Sequence, residues 1–495
     1  VLHQGKWEVD VMPRPVYEVT HYINGEFVKG GNRFEIRYPA TNEVIGTAPE
    51  GTPDEVDAAV QAARQAFKSW SQASPSARRK VLRAFAQAIR EHHDELAELE
   101  TLDVGRTIRD NKAGYIRSLA STIEYYADLA VTAGTEAYPM SNGYLNYILR
   151  SPVGVGGLIL PWNVPMLLVS WKVGPALAFG NTVVMKPAEW TPLGAWRLAQ
   201  LAHEAGLPPG VLNVVHGFGP DSTGEYITKH PDIDLISFTG ESATGKTIME
   251  AAAKSLKRVS FELGGKAANI IFEDADLDRA VKVSVDAAFQ NQGQLCIAGS
   301  RLLVQRSIYE PFMEKFTAAA RELRPGDPMN PETTLGSLIS AEHLQRVTSY
   351  IEVARQSGAA IRLGGDRPDL PAPFNQGNFL NATIIEGLPP QNRVCQEEIF
   401  GPVVAVLPFD TEEEAVEIAN GVNYGLSAVI QTRDVGRVLR LSNALNVGTV
   451  WVNDFFVRDI RTPFGGMKQS GIGREGGTFS LDFWTEAKTV CVSSQ

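Results

Sequence analysis

Cys296 closes the stretch Asn291-Gln292-Gly293-Gln294-Leu295-Cys296, whose polar, glycine-containing flank differs from that of a core cysteine. A lone cysteine otherwise reads as a small buried hydrophobe. In this setting its sulfur is a candidate nucleophile. Glu262 lies in Phe261-Glu262-Leu263-Gly264-Gly265-Lys266, between two apolar residues. Burial there would raise its pKa toward the range of a general base. The alternative is a strand-end carboxylate paired with Lys266. Gly264 and Gly265 permit close backbone approach to a ligand.

Asn163, in Pro161-Trp162-Asn163-Val164-Pro165, follows an apolar strand. Turn chemistry alone explains the prolines. The amide nevertheless sits beyond a strand's C-terminal end, where α/β folds bind ligands, and suits an oxyanion donor. Ser237 to Lys246 runs from a strand through a glycine-flanked turn into a helix over Thr247 to Ala253. Free N–H groups at such a helix start bind phosphate, although this is not the Gly-x-Gly-x-x-Gly fingerprint. Lys186 and Glu189 follow another strand; they are either ribose ligands or solvated loop charges.

The elements that must position these groups alternate along the chain. Thr52-Pro53-Asp54-Glu55 is a capping box. Ala77 to Leu102 reads as one long amphipathic stretch, and Thr411 to Glu414 starts another capped helix. Gly154 to Leu160, Thr182 to Met185, Val211 to Val215 and Leu235 to Phe238 read as buried strands. Asn269 to Phe272, Arg301 to Gln305, Val403 to Pro408, Ala428 to Gln431 and Thr449 to Val452 continue the pattern. Repeated strand–turn–helix units imply α/β architecture with a parallel sheet.

A chain of 495 residues is long enough for two to four domains. Its net charge of −11 argues against nucleic-acid or anionic-membrane partners, which reward clustered Lys and Arg. Three cysteines (Cys296, Cys395, Cys491) make no disulfide framework, and no metal-ligand spacing occurs, so no metal is expected and a cytoplasmic setting fits. Val1 to Asp10 lacks the apolar core of a signal peptide. Ser151 to Trp171 is uncharged, but its prolines and glycines favour buried strand, turn and helix over a membrane span.

Taken together, the chain resembles the aldehyde dehydrogenase superfamily. The resemblance is carried in order by PWNVP (161–165), KPAEWTP (186–192), GLPPGVLNVVHG (206–217), FTGESATG (238–245), FELGGK (261–266), NQGQLC (291–296), EEIFGPV (397–403) and PFGGMKQSGIGREGG (463–477). It implies a Rossmann-like coenzyme domain over 1–136 and 153–264, an α/β catalytic domain over 265–477, and a small β oligomerisation arm. The arm would be a hairpin over 137–152 and a strand over 478–495, giving a homodimer or homotetramer.

The implied reaction is oxidation of an aldehyde to an acid. Cys296 would be nucleophile, Glu262 base, Asn163 oxyanion donor, and Lys186 a further member of the catalytic set. The coenzyme would lie along Ile159, Leu160, Pro161, Trp162 and Asn163. Lys186, Glu189 and Glu398 would meet its riboses, Phe400 its nicotinamide side and Gly240 its pyrophosphate turn, with Gly219, Gly224, Phe238, Glu241 and Leu263 as further coenzyme contacts. Glu475 would serve a proton path. Glu262 favours hydrolysis over transfer to coenzyme A. Glu189 favours NAD over NADP, because a carboxylate accepts from a ribose 2′-hydroxyl and repels a 2′-phosphate. Glu241 departs from the small residue frequent in the family and must point away from a pyrophosphate.

Phe456 to Arg461, GIGREGG and QGNFL (376–380) resemble the branch of 5-carboxymethyl-2-hydroxymuconic, 2-hydroxymuconic and 2-aminomuconic semialdehyde dehydrogenases. That branch implies an anionic semialdehyde gripped by Arg458, with Gln290, Trp171 and Phe464 in the substrate tunnel and Arg117 as a second cation. Arg458 has a bland alternative, pairing with Asp459. Competing functions are an aldehyde dehydrogenase of broad specificity or NADP use, and a thiol esterase or acyl transferase working through the same cysteine.

Overall fold

A computed structural model describes residues 16–493. Val1 to Asp10, expected to carry no signal peptide, lies outside the described residues. The capping box predicted at Thr52 is formed: the Thr52 hydroxyl accepts from Glu55 N–H at 3.2 Å and the Glu55 carboxylate accepts from Thr52 N–H at 2.9 Å. It starts the helix Pro53–Trp70, which buries Val56, Ala59, Val60 and Ala63 on one face. The stretch read as continuous from Ala77 to Leu102 is two helices, Pro75–Glu91 and His93–Val104. The break falls at His92 (φ −105°, ψ 21°), whose ring instead hydrogen-bonds the Ala88 carbonyl at 2.9 Å. Both helices pack into the same core, Pro75–Glu91 by one face and His93–Val104 by nearly the whole of its second half.

The first large sheet has the order Gly471–Ile472, Arg258–Glu262, Leu235–Thr239, Val155–Ile159, Thr182–Lys186, Leu212–Val214, His21–Ile23, Glu26–Val28. Its five central strands are parallel, and antiparallel pairs finish both edges. The chain runs outward from Val155–Ile159 through Thr182–Lys186 to Leu212–Val214, then returns to Leu235–Thr239 on the other side. Val155–Ile159 and Leu235–Thr239 therefore flank a topological switch point, where a crevice opens beyond the strand ends. The helix after the turn at Gly240 begins at Ser242, earlier than the Thr247 expected from its apolar residues. The uncharged run from Ser151 becomes the buried strand Val155–Ile159 and the fully buried helix Pro165–Ala178. No helix among the described residues is long and apolar enough to cross a membrane.

A second sheet, ordered Ala360–Leu363, Thr383–Glu386, Val403–Phe409, Arg301–Gln305, Ala268–Ile271, Ser427–Gln431, Thr449–Val452, is parallel except for its first strand. Apolar clusters fill both faces of each large sheet. A separate ribbon pairs Thr485–Ser493 antiparallel with Tyr144–Pro152 along its whole length, and Ala137–Pro139 completes it.

Candidate functional site

A cavity of about 830 Å³ opens at the switch point of the first sheet. The C-terminal ends of four of its strands reach it, through Ile159 and Leu160, Lys186, Thr239 and Glu262. Leu277–Phe289 and the turn that follows bring Cys296 to the opposite wall. Cys296, Glu262, Asn163 and Lys186, far apart in sequence, thus share one cavity. Every residue that the resemblance assigned to a coenzyme lines it as well.

The turn before Cys296 has an unusual backbone. Asn291, Gln292 and Gly293 are all left-handed, with φ of 50°, 56° and 68°. Side chains pay for that conformation, and here hydrogen bonds hold it. The Asn291 amide donates to the Asn163 carbonyl at 3.0 Å and to the Gln294 carbonyl at 3.2 Å. The Asn163 amide donates to the same Gln294 carbonyl at 2.9 Å. Asn163 and the cysteine turn are thereby locked together.

Gly264 and Gly265 are both closely approached by the protein itself, Gly265 by backbone and Gly264 by a side chain. A Cβ on Gly265 would fall 2.0 Å from the Cys296 carbonyl oxygen, and one on Gly264 would fall 2.5 Å from Glu398 Oε2. Gly265 N–H donates to Glu398 Oε1 at 2.7 Å. Burial pushes the Glu398 carboxyl up to about 7.

Glu262 does not pair with Lys266: both Glu262 oxygens and Lys266 Nζ are buried without a hydrogen-bond partner. Burial first, then the nearby Glu475 charge, raises the Glu262 pKa well above the ordinary carboxylate value, with Lys172, Arg474 and Arg458 opposing. Glu475 lies outside the cavity lining and is held by Lys172 Nζ at 2.7 Å, which also donates to Ser237 Oγ at 2.9 Å. Burial also pushes the Cys296 thiol up, with Glu398 and Glu262 adding to it; the N–H groups of Cys296 and Ile297 aimed at the sulfur oppose it.

Lys186 Nζ meets Glu189 Oε2 at 3.3 Å and donates to the Pro187 carbonyl at 2.9 Å, so these are not free loop charges. Glu241 is largely exposed and meets Arg346, another lining residue, with 3.7 Å between the charged atoms. The Thr239 hydroxyl is buried at the cavity wall without a partner. Trp162 packs edge-on against Trp190, His343 and Phe400.

Arg458 does not pair with Asp459, which binds Arg461 at 2.5 Å instead. Its guanidinium carbon stacks 3.4 Å from the Trp171 ring centre and 5.2 Å from that of Phe464, and its Nε and Nη1 are buried and unpartnered. Trp171 and Phe464 line the cavity; Arg458 stands against them. Three expected substrate contacts are absent from the lining: Arg458 itself, which stacks behind Trp171 and Phe464, and also Gln290 and Arg117. Gln290 caps the end of Leu277–Phe289 away from the lining, and Arg117 is exposed on the helix Ile116–Thr132. The register of that helix turns Tyr115, Ile116 and Leu119 inward, which leaves Arg117 outside.

Sequence reasoning passed over Lys172, His343 and Arg346. Lys172 carried a signal, a single cation ending a long uncharged run. His343 and Arg346 lie on the helix Ala341–Gln356, whose approach to the first sheet no local pattern announces. Among the described residues no group of three or more His, Cys, Asp or Glu could hold a metal ion.

Comparison with known proteins places these features in company. The profile of the aldehyde dehydrogenase family matches residues 27–490. A 2-hydroxymuconic semialdehyde dehydrogenase of Pseudomonas sp. (strain CF600) is 48% identical over 96% of this chain and 99% of its own length. A 2-aminomuconic semialdehyde dehydrogenase of Danio rerio is 46% identical over 95% of this chain and 97% of its own. The NAD+ complex of an aldehyde dehydrogenase from Bacillus cereus superposes with a TM-score of 0.94, at 42% identity and 97% coverage of both chains.

Proposed function

The chain belongs to the aldehyde dehydrogenase family, and on that premise we propose that it oxidises a carboxylate-bearing semialdehyde to the corresponding diacid, with NAD as acceptor. The observation that carries the substrate class is Arg458. A buried guanidinium with two unpartnered nitrogens is costly unless an anion meets it. The aromatic wall of Trp171 and Phe464 holds its plane beside the cavity. The similarity to two muconic semialdehyde dehydrogenases points the same way.

The coenzyme fits the cleft on its own chemistry. A crevice beyond parallel strand ends, the start of the helix Ser242–Ala253, and the unpartnered Thr239 hydroxyl suit a dinucleotide. Lys186 and Glu189 would bind a ribose, and the Glu189 carboxylate favours NAD over NADP. When bound, NAD supplies the two-electron acceptor.

The residues of the chain do the rest. The Cys296 thiol gives its proton to the Glu262 carboxylate, which passes it on to solvent, and its sulfur bonds to the aldehyde carbon. Negative charge on the carbonyl oxygen is met by the Asn163 amide and the Cys296 N–H. Oxidation at that carbon leaves a thioester on Cys296. Glu262 takes a proton from water, the resulting hydroxide attacks, the carbon–sulfur bond breaks, and the acid leaves. The Glu475 carboxylate, held by Lys172, is a further acceptor for that proton.

A panel of semialdehydes with and without a terminal carboxylate tests this reading, run on the wild type and Arg458→Ala. A charge-assisted hydrogen bond contributes about 1.5–3 kcal/mol, so Arg458→Ala should raise KM for the carboxylate substrates roughly 10- to 100-fold. Neutral aldehydes of similar length should be little affected. Equal loss on both would refute the carboxylate grip.

A further inference from the structure

Behind Asn163 lies a buried polar cluster that the reaction above does not use. Arg106 and Glu100 are both completely buried, and Arg106 Nη2 donates to Glu100 Oε1 at 2.6 Å. Arg106 Nε donates to Asn111 Oδ1 at 2.5 Å. Asn111 is in turn fixed by its amide, which donates to Thr101 Oγ1 at 2.7 Å. It opens a π-helical turn, Asn111–Tyr115, a local irregularity frequent at functional sites. That turn lays the Tyr115 ring 3.8 Å from the guanidinium carbon. The remaining nitrogen, Arg106 Nη1, donates to the Asn163 carbonyl at 3.0 Å.

The guanidinium is therefore held on three sides and spends its fourth contact on the backbone of one cavity residue. That carbonyl also accepts from Asn291 at 3.0 Å, and the Asn163 side chain is tied to Gln294. We propose that Arg106 is a positioning residue: its fork clamps the Asn163 backbone, so that the Asn163 amide stays aimed at the carbonyl oxygen of the aldehyde that Cys296 attacks. The proposal rests on the reading of Asn163 as oxyanion donor. Arg106 does not line the cavity and touches no reacting atom. Its planar fork matters because Glu100, Asn111 and Asn163 are met by three different nitrogens of one rigid plane, which the single nitrogen of a lysine does not reproduce.

The test is a double-mutant cycle with Arg106→Lys, which keeps the charge opposite Glu100, and Asn163→Ala. A displacement of about 1 Å far from the chemistry can cost on the order of 10²-fold in rate. Arg106→Lys should lower kcat by about that factor, with KM for the aldehyde and NAD affinity, read by fluorescence titration, unchanged. In the Asn163→Ala background the same change should cost less than about twofold, because the group it positions is gone. Tyr115→Leu, which removes only the ring under the guanidinium, should follow the same pattern more weakly and serves if Arg106→Lys does not fold. Equal fold-losses in both backgrounds would overturn the role of Arg106 and leave Asn163 intact as donor. Wild-type turnover by Asn163→Ala would overturn the donor reading itself.

Discussion

Glu262 must be ionised to accept a proton, yet burial and the Glu475 charge both favour its neutral form. Activity should therefore rise with pH as Glu262 ionises. Replacing Glu475 by Gln removes a like charge and frees Lys172, and both effects favour the carboxylate. The rising limb of the kcat profile should move to lower pH. A limb that stays put, or moves to higher pH, would remove Glu475 from the field acting on the base. Arg458 acts in the opposite sense. Arg458→Ala should shift the limb to higher pH, so its substrate comparison belongs on the alkaline plateau. The thiol obeys the same logic. Raised by burial, it should be alkylated slowly by iodoacetamide at neutral pH and faster as pH rises; a rate already level at neutral pH would contradict a protonated resting thiol.

The turn Gln290–Gly293 carries the placement of Cys296. Gly293 is left-handed, and a Cβ there would stand 2.1 Å from the Gly401 carbonyl oxygen. Gly293→Ala should lose about 1–3 kcal/mol of stability, and most of its turnover, because the clash displaces the segment leading to the sulfur. Thr52→Ala makes the contrast. It removes the cap of Pro53–Trp70, worth about 1 kcal/mol, on an element that brings no residue to the cavity. Thermal unfolding should register both, and turnover only the first. A fall in kcat for Thr52→Ala would show that the helix acts on the site.

At the scale of the molecule, the three-stranded ribbon stands apart. Its register places Leu145, Tyr147 and Leu149 on one face with Val490 and Val492. Leu145, Leu149 and Val492 are more than two-fifths exposed. A ribbon with an uncovered apolar face is marginal alone. We propose that a second copy of the chain covers it. The wild type should sediment as a dimer or larger, and Leu145→Glu with Leu149→Glu should shift it toward monomer. A wild-type monomer at micromolar concentration would refute this. The division into coenzyme, catalytic and arm segments belongs to the same proposal.

Local chemistry was legible in the chain. Ser/Thr caps, β-branched runs and apolar periodicity specify most helices and strands within a turn, as at Thr52 and at Val155–Ile159. The ordered motifs named the family and the residues to watch, because those motifs are contiguous. What sequence could not supply was direction and distance. The three left-handed residues before Cys296, the exposure of Arg117, the stacking of Arg458 on Trp171 and the reach of Arg106 to Asn163 depend on segments brought together only by packing. Periodicity repeats every few residues and gives no register between distant helices, so whether a side chain meets solvent, a neighbour or the cavity was decided when the two sheets and their helices closed around the cleft.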